Sequence, residues 1–156
     1  MTSTQAAREQ MIAQQVRTWA VLDTRTLAAM RQVPRERFVP AAWRSLAYAD
    51  CALPLPLGKH MLTPMLAGRI LQALDVKPGD QVLEVGTGSG YLSACLAVLG
   101  GNVQTLELHG ALATAARSNL SAAGFDGIEV TTADGASLVS ETAYDVIVLT
   151  ASLPLY

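Results

Sequence analysis

Apolar and polar positions change their spacing about halfway along this chain. In the first half the spacing is helical. Ile12, Gln15, Val16 and Trp19 fall at i, i+3, i+4 and i+7, which predicts a helix from a Ser3 or Thr4 cap to about residue 19. Asp23 caps a second predicted helix over 24–31. Pro34 and Pro40 punctuate two short helical pieces around Phe38 and Trp43, and Pro54 and Pro56 keep 51–58 extended or looped. Thr63 followed by Pro64 is a side-chain cap with proline at the first helical position, so a helix is expected over 64–74. From residue 76 onward, short apolar runs alternate with helical ones. Strands are predicted over 81–85, 103–108, 128–132 and 144–150, and helices over 90–99 and 110–122. Val146-Ile147-Val148-Leu149 is unbroken apolar sequence, as in a parallel strand buried on both faces. Trp19 and Trp43 are expected in the core. Strands alternating with helices imply a parallel α/β sheet with right-handed crossovers. Residues 1–75 form an N-terminal helical segment with a loop, residues 76–156 the sheet half, and the two together one domain.

Composition narrows the class. The chain has 156 residues, enough for one domain, and 51% of them are hydrophobic. Only 15% are charged, against about 25% in typical domains, and mean hydropathy is +0.30. Intrinsic disorder is excluded. A net charge of −2 gives no basic footprint for a nucleic-acid partner. No run approaches the ~18 apolar residues of a spanning helix, and residues 1–15 hold no apolar core of a secretory signal. A cytoplasmic protein with no membrane partner is expected. Cys51 and Cys95 lie among apolar neighbours and read as buried free thiols. No further cysteine or paired histidine stands at ligand spacing, so no metal is expected.

The chemistry is concentrated in Val82-Leu83-Glu84-Val85-Gly86-Thr87-Gly88-Ser89-Gly90-Tyr91. This is a strand, a glycine turn and a helix start. Glycines there let the backbone turn sharply and let a ligand lie against bare main chain. Tyr91 stands where a dinucleotide fingerprint would carry its third glycine, which argues against a nicotinamide dehydrogenase. Glu107 ends the second strand 21 residues after Gly86, where a carboxylate can accept from ribose hydroxyls. Ala133-Asp134-Gly135 follows the third strand, and Asp134 there is placed to accept from an adenine amino group. Glu84 lies inside the first strand and needs a partner, expected to be an amine or backbone amide near the ligand. These residues describe an adenosine site at the carboxyl ends of the strands.

On these residues the chain resembles the class I S-adenosylmethionine (SAM)-dependent methyltransferases. More narrowly it is similar to the protein-L-isoaspartate O-methyltransferase family, on Met11-Ile12, Gln15-Val16-Arg17, Val33-Pro34-Arg35-Glu36, Phe38-Val39-Pro40, Tyr48-Ala49-Asp50 with Pro54, Lys77-Pro78-Gly79-Asp80 and Tyr144-Asp145. The resemblance implies a Rossmann-like SAM-methyltransferase fold, with sheet order 3-2-1-4 and helices on both faces. It implies SAM held by Glu84, Gly86, Thr87, Gly88, Ser89, Gly90, Glu107, Leu108, Asp134 and Gly135, with S-adenosylhomocysteine as product. It also implies that residues 58–64 form part of the acceptor site. Here the chain departs from the family pattern of Gln-Thr-Ile-Ser, one residue, then Pro. It reads Lys59-His60-Met61-Leu62-Thr63-Pro64, with Leu62 at the serine position and His60 left as a possible acceptor-site residue. No catalytic residue is therefore assigned.

The family's later strands are also absent, which leaves the fourth strand as an apolar edge. A second copy covering that edge, or a longer parent protein, is expected. The implied activity is methylation of a carboxylate in a damaged protein or peptide. The alternatives are a methyltransferase with another acceptor, or a SAM-binding interaction domain without turnover. The segment 150–154 lacks the Asn/Asp-Pro-Pro-Tyr/Phe signature of adenine or glutamine amino-group methylation.

Overall fold

A computed structural model describes residues 1–152; residues 153 and 154, the end of the segment after the fourth strand, lie outside them. The N-terminal part is helical. Helix α1 (Ser3–Met11) is capped by Thr2 rather than by Ser3 or Thr4. Thr2 and Gln5 bond each other's backbone in a reciprocal box. The helical path continues to Trp19 as predicted, but through a π-helical turn at Ile12–Val16 and a 3₁₀ turn at Arg17–Trp19. The wide turn shifts the phase of the stripe. Ile12 and Val16 are buried, whereas Trp19 is 54% exposed. Trp43, on the 3₁₀ run Ala41–Leu46, is 41% exposed. Both tryptophans are thus surface residues, contrary to the sequence expectation. Cys95 is buried as expected, and Cys51 is only half-buried.

Helix α2 (Thr24–Gln32) starts at Asp23, whose carboxylate accepts from the Thr26 amide at 2.8 Å. A hairpin of β1 (Pro54–Leu55) and β2 (Lys59–His60) follows, and helix α3 (Pro64–Leu74) begins at the Thr63 cap. The second half contains β3 (Gln81–Val85), α4 (Tyr91–Val98), β4 (Asn102–Glu107), α5 (Gly110–Ala122), β5 (Glu129–Thr132) and β6 (Val146–Leu149). All three pairings in the sheet are parallel and the order is β5-β4-β3-β6. Counting these four strands in chain order, that is the expected 3-2-1-4.

The two faces of the sheet differ. Val82, Val103, Val130 and Val148 pack with residues of α3, α4 and α5 in one core that also takes Met11, Ile12, Met30 and Phe38 from the N-terminal part. Leu83, Val85 and Leu106 point the other way and meet Ala133, Leu138 and Tyr144. None of these belongs to a helix, because the 13 residues between β5 and β6 hold a single 3₁₀ turn, Gly135–Ser137. Among the described residues, helices therefore back one face, not both. The same asymmetry leaves Ile147 and Leu149 each 56% exposed, so β6 is not buried on both faces. Among the described residues β6 pairs only with β3. No helix among them is long and apolar enough to cross a membrane, and no group of three or more His, Cys, Asp or Glu side chains stands together to hold a metal ion.

Side chains from the first half close the joint to the second. Arg25 donates to the carbonyls of Val76 and Leu99 at 2.8 and 2.7 Å, and Arg37 to that of Ala122. Gly68 marks the closest approach of α3 to the wide turn. A Cβ there would lie 2.8 Å from Val16 Cγ1 and 3.3 Å from Met30 Sδ and Val21 Cγ2. Alanine in a helix interior gains about 1 kcal/mol over glycine, while overpacking a core costs about 1–3 kcal/mol. Val16 is β-branched and cannot swing aside, so packing wins. Gly68→Ala is expected to lower stability by about 1 kcal/mol, a fall of ~2–4 °C in Tm read by thermal denaturation.

Candidate active site

The strand-to-helix turn after β3 is set by glycines. Gly86 has φ of 103° and Gly90 of 89°, in the left-handed region. A Cβ on Gly86 would sit 2.8 Å from the Ala151 amide, so the loop packs closely beside the chain leaving β6. The amides of Gly86 and Thr87 both donate to the Leu106 carbonyl, at 2.8 and 3.2 Å. Thr87 Oγ1 lies 2.7 Å from Thr105 Oγ1, and Ser89 Oγ accepts from the Tyr91 amide. The loop is therefore tied to β4 before any ligand is considered.

Glu107 is the second tie. Its Oε2 accepts from the Gly88 amide at 2.9 Å and its Oε1 from the His109 amide at 3.1 Å. The carboxylate is buried at the carboxyl end of β4. Each oxygen has a second lone pair, so it can still accept from a ligand. Leu108 leaves the strand one residue earlier than expected and is 60% exposed at the cavity wall. His109 is half-buried at the start of α5 and also lines the cavity. Asp134 caps the Gly135–Ser137 turn, with Oδ1 accepting from the Ala136 amide at 2.9 Å, and remains exposed.

Glu84 differs from the expectation. Its partners are hydroxyls, not an amine or a backbone amide: Ser93 Oγ and Thr105 Oγ1 both donate to Oε1, the latter at 2.7 Å. Both are buried on the helix-backed side of the sheet. Burial pushes the Glu84 carboxyl up to about 7; the two hydroxyls pull it down, and the Glu107 charge adds to the rise.

Glu84, the loop residues 86–89, Glu107 and Asp134 open on one cavity of about 610 Å³, within the usual size of ligand pockets. The glycine loop, Glu107, Leu108, Asp134 and Gly135 form one side. Gly58, Lys59, His60, Met61 and Leu62 form another, so the two predicted halves of the site do meet. The sequence reading missed Leu55, Arg35 and 150–152, which also line it. Leu55 Cδ1 would be 3.5 Å from a Cβ on Gly88, so the hairpin arches over the glycine loop. Arg35 is 1% exposed; its Nε donates to the Ala47 carbonyl and its Nη2 to the Leu62 carbonyl, both at 2.8 Å. Its guanidinium carbon stands 4.8 Å from the centroid of the Tyr91 ring. Tyr91 also meets Phe38 edge-on at 5.9 Å, and burial raises its hydroxyl well above the usual tyrosine value.

The family model for protein-L-isoaspartate (D-aspartate) O-methyltransferases matches residues 6–155. The chain belongs to that family. A protein-L-isoaspartate O-methyltransferase of Koribacter versatilis is 43% identical over 94% of this chain, and one of Rhodopseudomonas palustris is 44% identical over 98%. The chain spans 67% and 63% of the lengths of those two relatives. Among solved structures, a Plasmodium falciparum protein assigned as a protein-L-isoaspartate O-methyltransferase, in complex with S-adenosyl-L-homocysteine, superposes with a TM-score of 0.81. It is 20% identical and matches over 99% of this chain and 77% of its own. Another protein-L-isoaspartate O-methyltransferase gives 0.79 over 92% of this chain and 47% of its own, at 24% identity. These two likenesses establish the parallel-sheet methyltransferase fold.

Within this isoaspartate methyltransferase fold, Leu62 is half-buried, and its backbone is held through its carbonyl. The Leu62 side chain has no hydrogen-bonding group to offer in place of a serine hydroxyl.

Glu84 gives the site a pH signature. Its folded value lies above the unfolded one of 4.5, so the native state binds the proton more tightly. Stability from this group is fully retained below about 4.5, falls as pH rises toward 7, and stays low above that. Glu84→Gln is expected to flatten this slope and to raise stability at pH 8 by on the order of 2 kcal/mol. Urea unfolding of both proteins from pH 4.5 to 8 measures it, and parallel slopes would refute the assignment.

Proposed function

We propose that this chain transfers a methyl group from SAM to the free carboxylate of an isoaspartyl or D-aspartyl residue in a damaged protein or peptide, in the cytoplasm. The observation that carries the reading is the single cavity shared by the glycine loop with Glu107 and by the 58–62 loop. The donor set fits the nucleoside. Glu107 has lone pairs for ribose hydroxyls, Asp134 and Gly135 lie at the same sheet edge, and Leu108 offers an exposed apolar face for a purine. SAM, when bound, supplies an electrophilic methyl group on a sulfonium.

The residues of the chain then have three tasks. Glu107 orders the Gly88 amide and keeps the glycine loop in its ligand-ready shape. Arg35 holds the Leu62 carbonyl, and with it the acceptor wall, against the start of α4. Leu55 and Leu62 line the cavity between these elements and exclude water from part of it. No general base is required, because a carboxyl of pKa ~4 is ionised at pH 7. Orientation alone can supply about 7–11 kcal/mol in favourable cases. Loss of the serine hydroxyl at position 62 thus weakens acceptor positioning without removing a proton-transfer step. Leu62 is also the observation that favours a second reading, a SAM-binding domain without turnover.

Calorimetric titration with S-adenosylhomocysteine tests the cofactor half. Micromolar binding is expected, with Glu107→Ala weakening it at least tenfold, about 1.4 kcal/mol, while circular dichroism remains unchanged. Transfer of labelled methyl from SAM to an isoaspartyl peptide, and not to its aspartyl twin, tests the acceptor half. Binding of the homocysteine product with no transfer to any isoaspartyl peptide would leave the non-catalytic reading.

A further inference from the structure

The wall of the cavity opposite the cofactor residues carries a lysine and a histidine side by side. Lys59 and His60 form the whole of β2, both are exposed, and both line the cavity. None of the four ion pairs among the described residues involves either of them. The acidic groups of the same cavity lie on its cofactor side, and each is already hydrogen-bonded there. Glu84 takes two hydroxyls, Glu107 two backbone amides, and Asp134 the Ala136 amide of its own turn. Among the described residues, Lys59 therefore stands at the cavity wall with no carboxylate within ion-pair distance.

They also stand on a fixed support. Beyond β2, the Met61 amide donates to the Leu53 carbonyl at 2.8 Å, and Arg35 grips the next carbonyl, that of Leu62. The hairpin tip beside them is a tight turn in which Leu57 has φ of 62° and Gly58 of 67°, with the Leu57 side chain 60% exposed. Leucine pays steric strain in that left-handed conformation. An apolar tip thus adjoins the Lys59 ammonium at the mouth of the site.

We infer that Lys59, with His60 beside it, selects the acceptor through the lysine charge: the chain prefers polypeptide segments carrying acidic residues next to the modified one. The inference rests on the acceptor wall proposed above. Electrostatic complementarity of this kind, at an exposed rim, sets partner choice and fades with salt. It does not concern the cofactor, whose nucleoside-binding residues lie on the other side of the cavity.

Two isoaspartyl peptides differing only in flanking Glu or Lys residues test it. Binding is measured by fluorescence anisotropy at saturating S-adenosylhomocysteine, so the result does not depend on turnover. The acidic peptide is expected to bind about fivefold or more tightly at low salt, with the preference largely lost in 0.5 M NaCl. Lys59→Gln with His60→Thr should abolish the preference, and Lys59→Glu should reverse it, while affinity for S-adenosylhomocysteine stays unchanged. Equal binding of the two peptides, no binding of either, or a preference that survives Lys59→Glu would overturn the inference. Failure of methyl transfer with the charge preference intact would instead count against the proposed activity alone.

Discussion

The buried guanidinium of Arg35 is the constraint on which the rest of the site depends. A charge taken out of water must be paired or hydrogen-bonded, or it costs several kcal/mol. Among the described residues no carboxylate pairs with it. Its Nε and Nη2 are satisfied by the carbonyls of Ala47 and Leu62, and its guanidinium carbon lies over the Tyr91 ring. Those contacts come from three separate stretches: the helical N-terminal part, the acceptor wall and the helix that begins at the glycine loop. Leaving any one of them loose would strand the charge. The demand for partners therefore fixes the distance between the acceptor wall and the glycine loop more firmly than apolar contact alone would.

A second buried network does the same for the glycine loop itself. Thr87, Thr105, Glu84 and Ser93 run from loop to β4 to β3 to α4 through short polar contacts. Glu107 holds the far side by accepting from Gly88 and His109. Buried polar groups of this sort specify one arrangement because every alternative leaves a donor or an acceptor unmet. The site is thus shaped in advance by hydrogen bonds, and the loop need not be ordered by its ligand.

Much of this was legible in the sequence because it is local. The strand–glycine–helix turn, the carboxylate ending the next strand and the Asp134 turn are each set by neighbours within a few residues. Alternating runs likewise pointed to a parallel α/β sheet with right-handed crossovers, and the family resemblance supplied its strand order. What stayed hidden is non-local. Arg35 stands in the sequence only as part of a family-like run, and its burial shows once Ala47 and Leu62, 12 and 27 residues away, are seen to close on it. Glu84 found hydroxyls 9 and 21 residues distant where an amide or amine was expected. Trp19 fell off its stripe because one wide turn rephased the helix, which hydrophobic spacing cannot reveal. The one-sided helical cover was hidden for a similar reason. An apolar run shows that a strand can be buried, but not whether anything is available to bury it.

The position of β6 has a consequence for how the molecule breathes. β3 and β4 are joined by a short connection through α4, whereas β6 returns to β3 from 61 residues further along the chain. Loop-closure entropy rises slowly with length, by about 0.6 kcal/mol per doubling, so this pairing carries a higher entropic charge than its neighbour. It is also backed by helices on one side only and hydrogen-bonded on one edge among the described residues. These are the features of a strand that opens at low free-energy cost in native-state fluctuations. Thr150 and Ala151, which both donate to the Val85 carbonyl and wall the site beside Gly86, ride on it. Opening of this one strand would expose the glycine loop from below, which makes slow amide exchange at Val148 a direct gauge of how long the cofactor cleft stays shut.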